Sequence, residues 1–190
     1  MILGILSDTH GRQQRTARAI RILRGLGAEA FVHCGDIGGV DVLAEFAGLR
    51  TWFVWGNIDV LDPTLARYAE SLGLQPPEEI PTRIELGGRS LAVYHGHEPH
   101  FTRLLRQIER CDFGAFTGLV NGADYVLYGH THTAADARFE GVRMINPGAL
   151  QRVAVHTVAT LDLARDELAF WEVDEHADDD QPPQRFTPYA

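Results

Sequence analysis

Five short segments of this chain carry side chains that bind divalent metals, and each directly follows an apolar run. They are Asp8-Thr9-His10, Gly35-Asp36, Gly56-Asn57, His95-Gly96-His97 and Gly129-His130-Thr131-His132. A sixth turn, Asn146-Pro147-Gly148, offers no obvious ligand and is expected only to shape the wall. Carboxylate, amide oxygen and imidazole, without thiolate, suit Mn, Fe, Co, Ni or Zn better than copper(I) or an iron–sulfur cluster. Asp8, His10, Asp36, Asn57, His95, His130 and His132 make seven candidate ligands. If Asp36 bridges, two ions each receive four protein ligands and keep positions open for water and substrate, as catalytic sites do. Two divalent ions, two carboxylates and a bridging hydroxide sum to a charge of about +1, which matches a phosphodiester monoanion. Ions roughly 3.5–4 Å apart would lower the pKa of the shared water and clamp both attacking and leaving oxygens.

Buried strands must deliver these side chains to one edge. Ile2–Leu6, Ala30–Cys34 and Thr51–Val54 read as buried strands, because both faces look apolar. Between them, Ala19, Ile20, Leu23 and Leu26 recur at helical spacing, and Gly27 stops that helix. A shorter helix is expected near Val40–Phe46, and further helices over Pro63–Leu72 and Phe101–Arg110. Gly87-Gly88 joins Arg83–Leu86 to Ser90–Tyr94 as a hairpin. Tyr125–Tyr128 is another strand, Glu140-Gly141 a second hairpin turn, and Ala154–Leu163 with Glu167–Val173 a last antiparallel pair. In open α/β sheets, ligands gather outside the carboxyl ends of strands, so residues distant in sequence can meet there. Early βα alternation followed by hairpins implies a mixed, layered α/β fold.

Composition narrows the partners. The 190 residues suffice for one domain, 45% are hydrophobic, and the formal charge is −9. That charge argues against a general nucleic-acid or membrane binder, though not against a local cationic pocket. Cys34 and Cys111 make no disulfide framework. The apolar N-terminal run is too short for a signal peptide or a membrane span, so a cytoplasmic location is expected. The domain is expected to cover 1–174. The acidic, Pro-containing tail 175–190, with Asp178-Asp179-Asp180, is expected to be disordered. Oligomeric state is left open, a homo-oligomer included.

Each motif alone has a plainer reading. Asp8-Thr9 could cap a helix, and Gly35-Asp36 or Gly56-Asn57 could be turns. His130 and His132 resist such readings, since two buried imidazoles would need partners. His95, directly at its strand end, is preferred to His97 as the ligand, which leaves His97 as a rim residue or a catalytic acid. His33 reads as a satisfied core or edge histidine, and Cys34 as a small buried hydrophobe. The arginines of Arg12–Arg24 read as a solvated helix face, with Arg12 the one nearest the site.

Taken in order, D-x-H, G-D, G-N, a strand-end histidine and G-H-x-H resemble the calcineurin-like metallophosphoesterases, most of all the small YfcE-like phosphodiesterase branch. The resemblance runs from Met1 to about Val173. It implies a four-layer α/β/β/α sandwich of two mixed sheets and a phosphodiesterase or phosphatase with two divalent transition-metal ions, Mn first among Mn, Ni, Co, Fe and Zn. It also implies that Asp8, His10, Asp36 and His132 hold one ion and that Asp36, Asn57, His95 and His130 hold the other. A metal-bridging hydroxide would attack phosphorus, with Asn57 helping to stabilise charge, on a small phosphate-ester substrate. Many family members place a proton-donating histidine after G-N, whereas this chain has Ile58. His97 is the expected substitute acid, and Asp59 is expected to steer a nearby imidazole. The rival reading is a non-catalytic protein-binding scaffold like the retromer subunit Vps29.

Overall fold

In the computed structural model, residues 1–59, 63–112, 114, 118, 120, 122–177 and 181–188 are described. The chain runs β1 (Ile2–Leu6), α1 (Gln13–Gly25), β2 (Ala28–His33), α2 (Val40–Ala44), β3 (Thr51–Phe53) and α3 (Pro63–Ser71). It continues through β4 (Thr82–Leu86), β5 (Arg89–Val93), α4 (Pro99–Glu109), β6 (Tyr125–Leu127), β7 (Ala135–Phe139) and β8 (Val142–Asn146). It closes with β9 (Thr157–Asp162), β10 (Glu167–Glu172) and β11 (Arg185–Phe186). The first sheet has the order β11-β10-β9-β1-β2-β3 and the second β4-β5-β6-β8-β7. Parallel pairs β1/β2, β2/β3, β5/β6 and β6/β8 put several strand ends on one side.

Alternation along the strands explains the layering. Leu3, Ile5 and Val32 turn inward to meet Leu91, Val93, Leu127 and Ile145 of the other sheet. The next residues along, Leu6 and Phe31, turn outward against Ile20 and Leu23 of α1 and Leu43 of α2. On the far side, Ala92, Val126 and Met144 pack on Phe101 and Leu104 of α4. Each such apolar side chain contributes roughly 1.5–3 kcal/mol by leaving water. Two sheets with helices on both outer faces make the expected α/β/β/α sandwich. No helix among the described residues is long and apolar enough to cross a membrane.

Two expectations need correction. Arg185–Phe186 of the supposed disordered tail pair with Trp171 and Phe170. An aromatic residue at 186, packed on the inter-sheet core, anchors that return. Asp178-Asp179-Asp180 lies outside the described residues. The arginine face of α1 is also not uniformly solvated: Arg15 and Arg18 are only 9% and 8% exposed. The tail covers them, and Glu175 pairs with Arg15 at 2.6 Å.

Candidate metal centre

The strand ends bring all seven predicted ligands together. His132 Nε2 lies 3.1 Å from Asp8 Oδ1 and 3.4 Å from His10 Nε2. His10 Nε2 lies 3.6 Å from Asp36 Oδ2, and His95 Nε2 lies 3.4 Å from Asp36 Oδ1. Asn57 Oδ1 is 3.1 Å from His95 Nε2, and the His130 ring centroid is 5.1 Å from that of His95. Asp8, His10 and His132 each bring one ligand atom within 4.8 Å of the others, and Asp8, Asp36 and His95 do the same. His97 is exposed at the rim, its ring 5.2 Å from His95 and 6.2 Å from His130.

Local backbone shape is unusual here. Asp8, His10, Asp36, His130 and His132 all have φ between 45° and 66°. Non-glycine residues avoid this left-handed region, and such conformations cluster at functional sites, each costing about 1–3 kcal/mol. The motif glycines permit close approach instead. A Cβ on Gly56 would land on Asp36 Oδ1, and one on Gly129 would land on Ser7 Oγ. Both strand ends therefore touch the carboxylate shell only because these positions lack a side chain.

The surroundings set the state of each candidate ligand. Ser7 Oγ donates to Asp8 Oδ2 at 2.6 Å and the His130 N–H donates at 3.0 Å, while Asp8 Oδ1 is buried without a hydrogen-bond partner. Burial pushes the Asp8 carboxyl up, against the Ser7 hydrogen bond and the charges of His95 and His132. Burial holds His10 and His130 below the ordinary imidazole range; for His10 the charge of Arg152 acts in the same direction. His95 Nδ1 lies 2.8 Å from the Cys34 carbonyl, which only accepts, so Nδ1 carries the proton. In the neutral ring Nε2 is then an acceptor, facing Asn57 Oδ1 and Asp36 Oδ1, two more acceptors. A cation satisfies that arrangement, as it satisfies the orphaned Asp8 oxygen. The residues present thus fit divalent metal.

Several supporting groups leave no mark in the sequence. The Ile58 N–H donates to Asp36 Oδ1 at 3.1 Å. Buried Glu98 accepts from the His95 and Gly96 N–H groups at 2.6 and 2.7 Å. Asn146 does shape the wall, donating to the Gly129 carbonyl and to Thr131 Oγ1 at 3.0 Å each. His33 is a satisfied core residue: Nδ1 accepts from the Gly35 N–H, so Nε2 donates to Thr9 Oγ1. Burial holds its pKa down to about 3. Asp59 departs from expectation. Its carboxylate accepts from the Ile37, Gly38 and Gly56 N–H groups, and none of these partners is an imidazole. It ties the Asp36 loop to the Asn57 loop.

Comparisons with known proteins follow the same lines. A phosphodiesterase of Methanocaldococcus jannaschii is 28% identical over 171 residues, covering 88% of this chain and 96% of that protein. A solved archaeal phosphodiesterase is 26% identical with a TM-score of 0.74, covering 90% of this chain and 99% of the other. The Escherichia coli phosphoesterase YfcE shares the fold at 20% identity and TM-score 0.61, over 92% of this chain and 100% of the other. Vps29 of Entamoeba histolytica shares it too, at 17% identity and TM-score 0.61, with 100% of both chains covered. The sequence profile of the calcineurin-like phosphoesterase superfamily domain matches residues 1–166, and the chain belongs to that superfamily.

Proposed function

We propose that the chain is a divalent-metal-dependent phosphodiesterase whose centre holds two ions, with Asp36 shared between them. One observation carries this reading: Asp36 turns one oxygen toward His10 and the other toward His95. Asp8, His10, Asp36 and His132 would hold the first ion, and Asp36, Asn57, His95 and His130 the second. Two bound ions would supply a more acidic water and positive charge opposite the phosphate. The chain's own groups do the rest. The Cys34 carbonyl keeps the His95 Nε2 lone pair pointed inward, and the Ile58 N–H holds Asp36. The Asn57 amide would donate to the phosphate oxygens and stabilise the charge that grows there.

His97, on the rim, is assigned the proton delivered to the leaving oxygen, the role that Ile58 lacks a group to play. Asp59 acts as a positioning residue. Manganese is placed first, ahead of Ni, Co, Fe and Zn. The substrate is a small phosphate ester rather than nucleic acid, given the −9 charge, and the compartment is the cytoplasm. The scaffold role that Vps29 suggests is disfavoured because every ligand position is filled.

The test is activity of metal-stripped protein resupplied singly with Mn, Ni, Co, Zn or Mg, on matched mono- and diesters. Diester hydrolysis should return, most strongly with Mn. A rim imidazole replacing the usual acid should leave a steep dependence on leaving-group pKa, with aryl diesters fast and alkyl ones slow. No recovery with any ion on either ester would refute the proposal.

A further inference from the structure

A cavity of about 680 Å³ runs along α1, lined by Arg12, Arg15, Arg18 and Arg21. Its lining starts at Gly11, which follows His10 in the chain and donates its N–H to the Ile37 carbonyl, next to Asp36. The four arginines are spaced by three, Arg12 just before α1 and the others within it, so that neighbours along the cavity repel. Two of them, Arg15 and Arg18, are more than nine-tenths buried. Buried guanidinium requires anionic or carbonyl partners.

Arg15 spends its Nη1 on the Leu150 carbonyl at 2.6 Å and its Nη2 on Glu175 at 2.6 Å. Its Nε is buried without a hydrogen-bond partner. Arg18 and Arg21 hold interactions of their own. Arg12 is exposed at the end nearest His10, and Glu175 is the one acidic side chain among the described lining residues. The cavity has the size of a small-molecule site, and its donors match phosphate oxygens, which guanidinium groups bind in pairs.

We propose that this cavity binds a second phosphate carried by the substrate, in competition with Glu175. The inference rests on the phosphodiesterase reading for the chemistry, and it narrows the substrate class. The preferred diester bears a further phosphate on one arm, as a nucleoside diesterified at one hydroxyl and phosphorylated at another does. Glu175 occupies Arg15 until that phosphate displaces it.

Two measurements test this. First, metal-stripped protein in chelator is titrated calorimetrically with inorganic pyrophosphate. Wild type should bind it, Glu175→Gln should bind about tenfold tighter, and Arg12→Gln about tenfold weaker, the change in affinity that one charge-assisted hydrogen bond supplies. Second, the loaded enzyme is given the p-nitrophenyl ester of thymidine 5′-phosphate with and without a 3′-phosphate. The kcat/KM ratio should favour the phosphorylated ester about tenfold in wild type and fall toward one in Arg12→Gln. Absence of pyrophosphate binding, or binding indifferent to Glu175→Gln, overturns the site. A ratio near one in an enzyme that turns over both esters overturns its substrate role. A loaded protein inert on both esters, yet retaining Glu175-sensitive binding, overturns the hydrolase reading while the anion site stands.

Discussion

A polar cluster lies at each end of the second sheet's strands, the one at the carboxyl ends shared with the first sheet, and the two are built in opposite ways. At the amino ends of β6 and β8, Arg143 donates Nε and Nη2 to both oxygens of Asp136 at 2.8 and 2.7 Å. Its Nη1 donates to the Asp166 carbonyl at 2.7 Å and to Asp166 Oδ1 at 2.6 Å, and Tyr125 Oη donates to the same carboxylate at 3.1 Å. Arg138 completes the set. There, carboxylates and guanidinium groups satisfy one another. At the carboxyl ends, carboxylates and imidazoles face each other with lone pairs, leaving Asp8 Oδ1 and His10 Nδ1 unpaired. A satisfied ion cluster stabilises the fold; a cluster of mutually unsatisfied acceptors is held in place by the fold and waits for a cation.

The contrast breaks most sharply under paired substitutions. Asp36→Asn should lower kcat/KM at least about a thousandfold, since several kcal/mol of charge stabilisation depend on it. Its Tm in chelator should stay within about 2 °C of wild type, because it removes a charge from an unsatisfied cluster. Arg143→Met should do the reverse. Breaking a partly buried, bidentate pair costs about 2 kcal/mol, or a Tm loss of about 4–8 °C for a chain of this size. Its kcat/KM with metal should remain within about twofold. If Asp36→Asn retains activity, the shared-carboxylate assignment is wrong. If Arg143→Met instead abolishes activity at full folding, the two ends are not independent.

What the sequence discloses divides along similar lines. The seven candidate ligands are legible because each is a polar side chain placed where an apolar run stops, and topology then dictates that such ends meet. A mixed, layered α/β fold is legible from the order of strands, helices and hairpins, and the α/β/β/α arrangement from the resemblance. The groups that tune the ligands are not. The Cys34 carbonyl and Ile58 N–H are backbone atoms, present at every residue and specified only by path. Glu98 stands three residues after His95, but nothing local says that its carboxylate turns back on that loop. The expectation that Asp59 steers an imidazole follows from its place beside Asn57; its three N–H partners come from loops joined only in the folded chain. The burial of Arg15 and Arg18 depends on the returning tail, which composition alone makes look solvated.

Strain offers a finer separation of the two ends. His132 holds φ at 60°, a geometry that glycine adopts without a Cβ penalty of about 1 kcal/mol. In chelator, His132→Gly should therefore raise Tm by about 2–4 °C while weakening metal binding at least about tenfold. Thermal melts with and without Mn read both effects. A fall in the metal-free Tm would show that the left-handed turn is relaxed in its context, not held against its preference.

The smallest effect is the pH response of the satisfied end. Burial pushes the Asp166 carboxyl up, but hydrogen bonds from Arg138, Arg143 and Tyr125 outweigh it and hold the pKa at about 2, against 3.8 ordinarily. A carboxyl depressed by folding contributes stability that is present above its unfolded pKa and lost as pH falls through the folded one. The Asp166 side chain is 31% exposed, so solvent screening limits the contribution to about 1 kcal/mol. Urea midpoints for wild type and Asp166→Asn in chelator should thus differ most above about pH 4 and converge toward about pH 2. The Asp8 carboxyl, pushed up by burial, carries the opposite sign. A gap between wild type and Asp166→Asn that widens on acidification would mean that burial, not the guanidinium groups, governs Asp166, and the two ends would then differ in degree only.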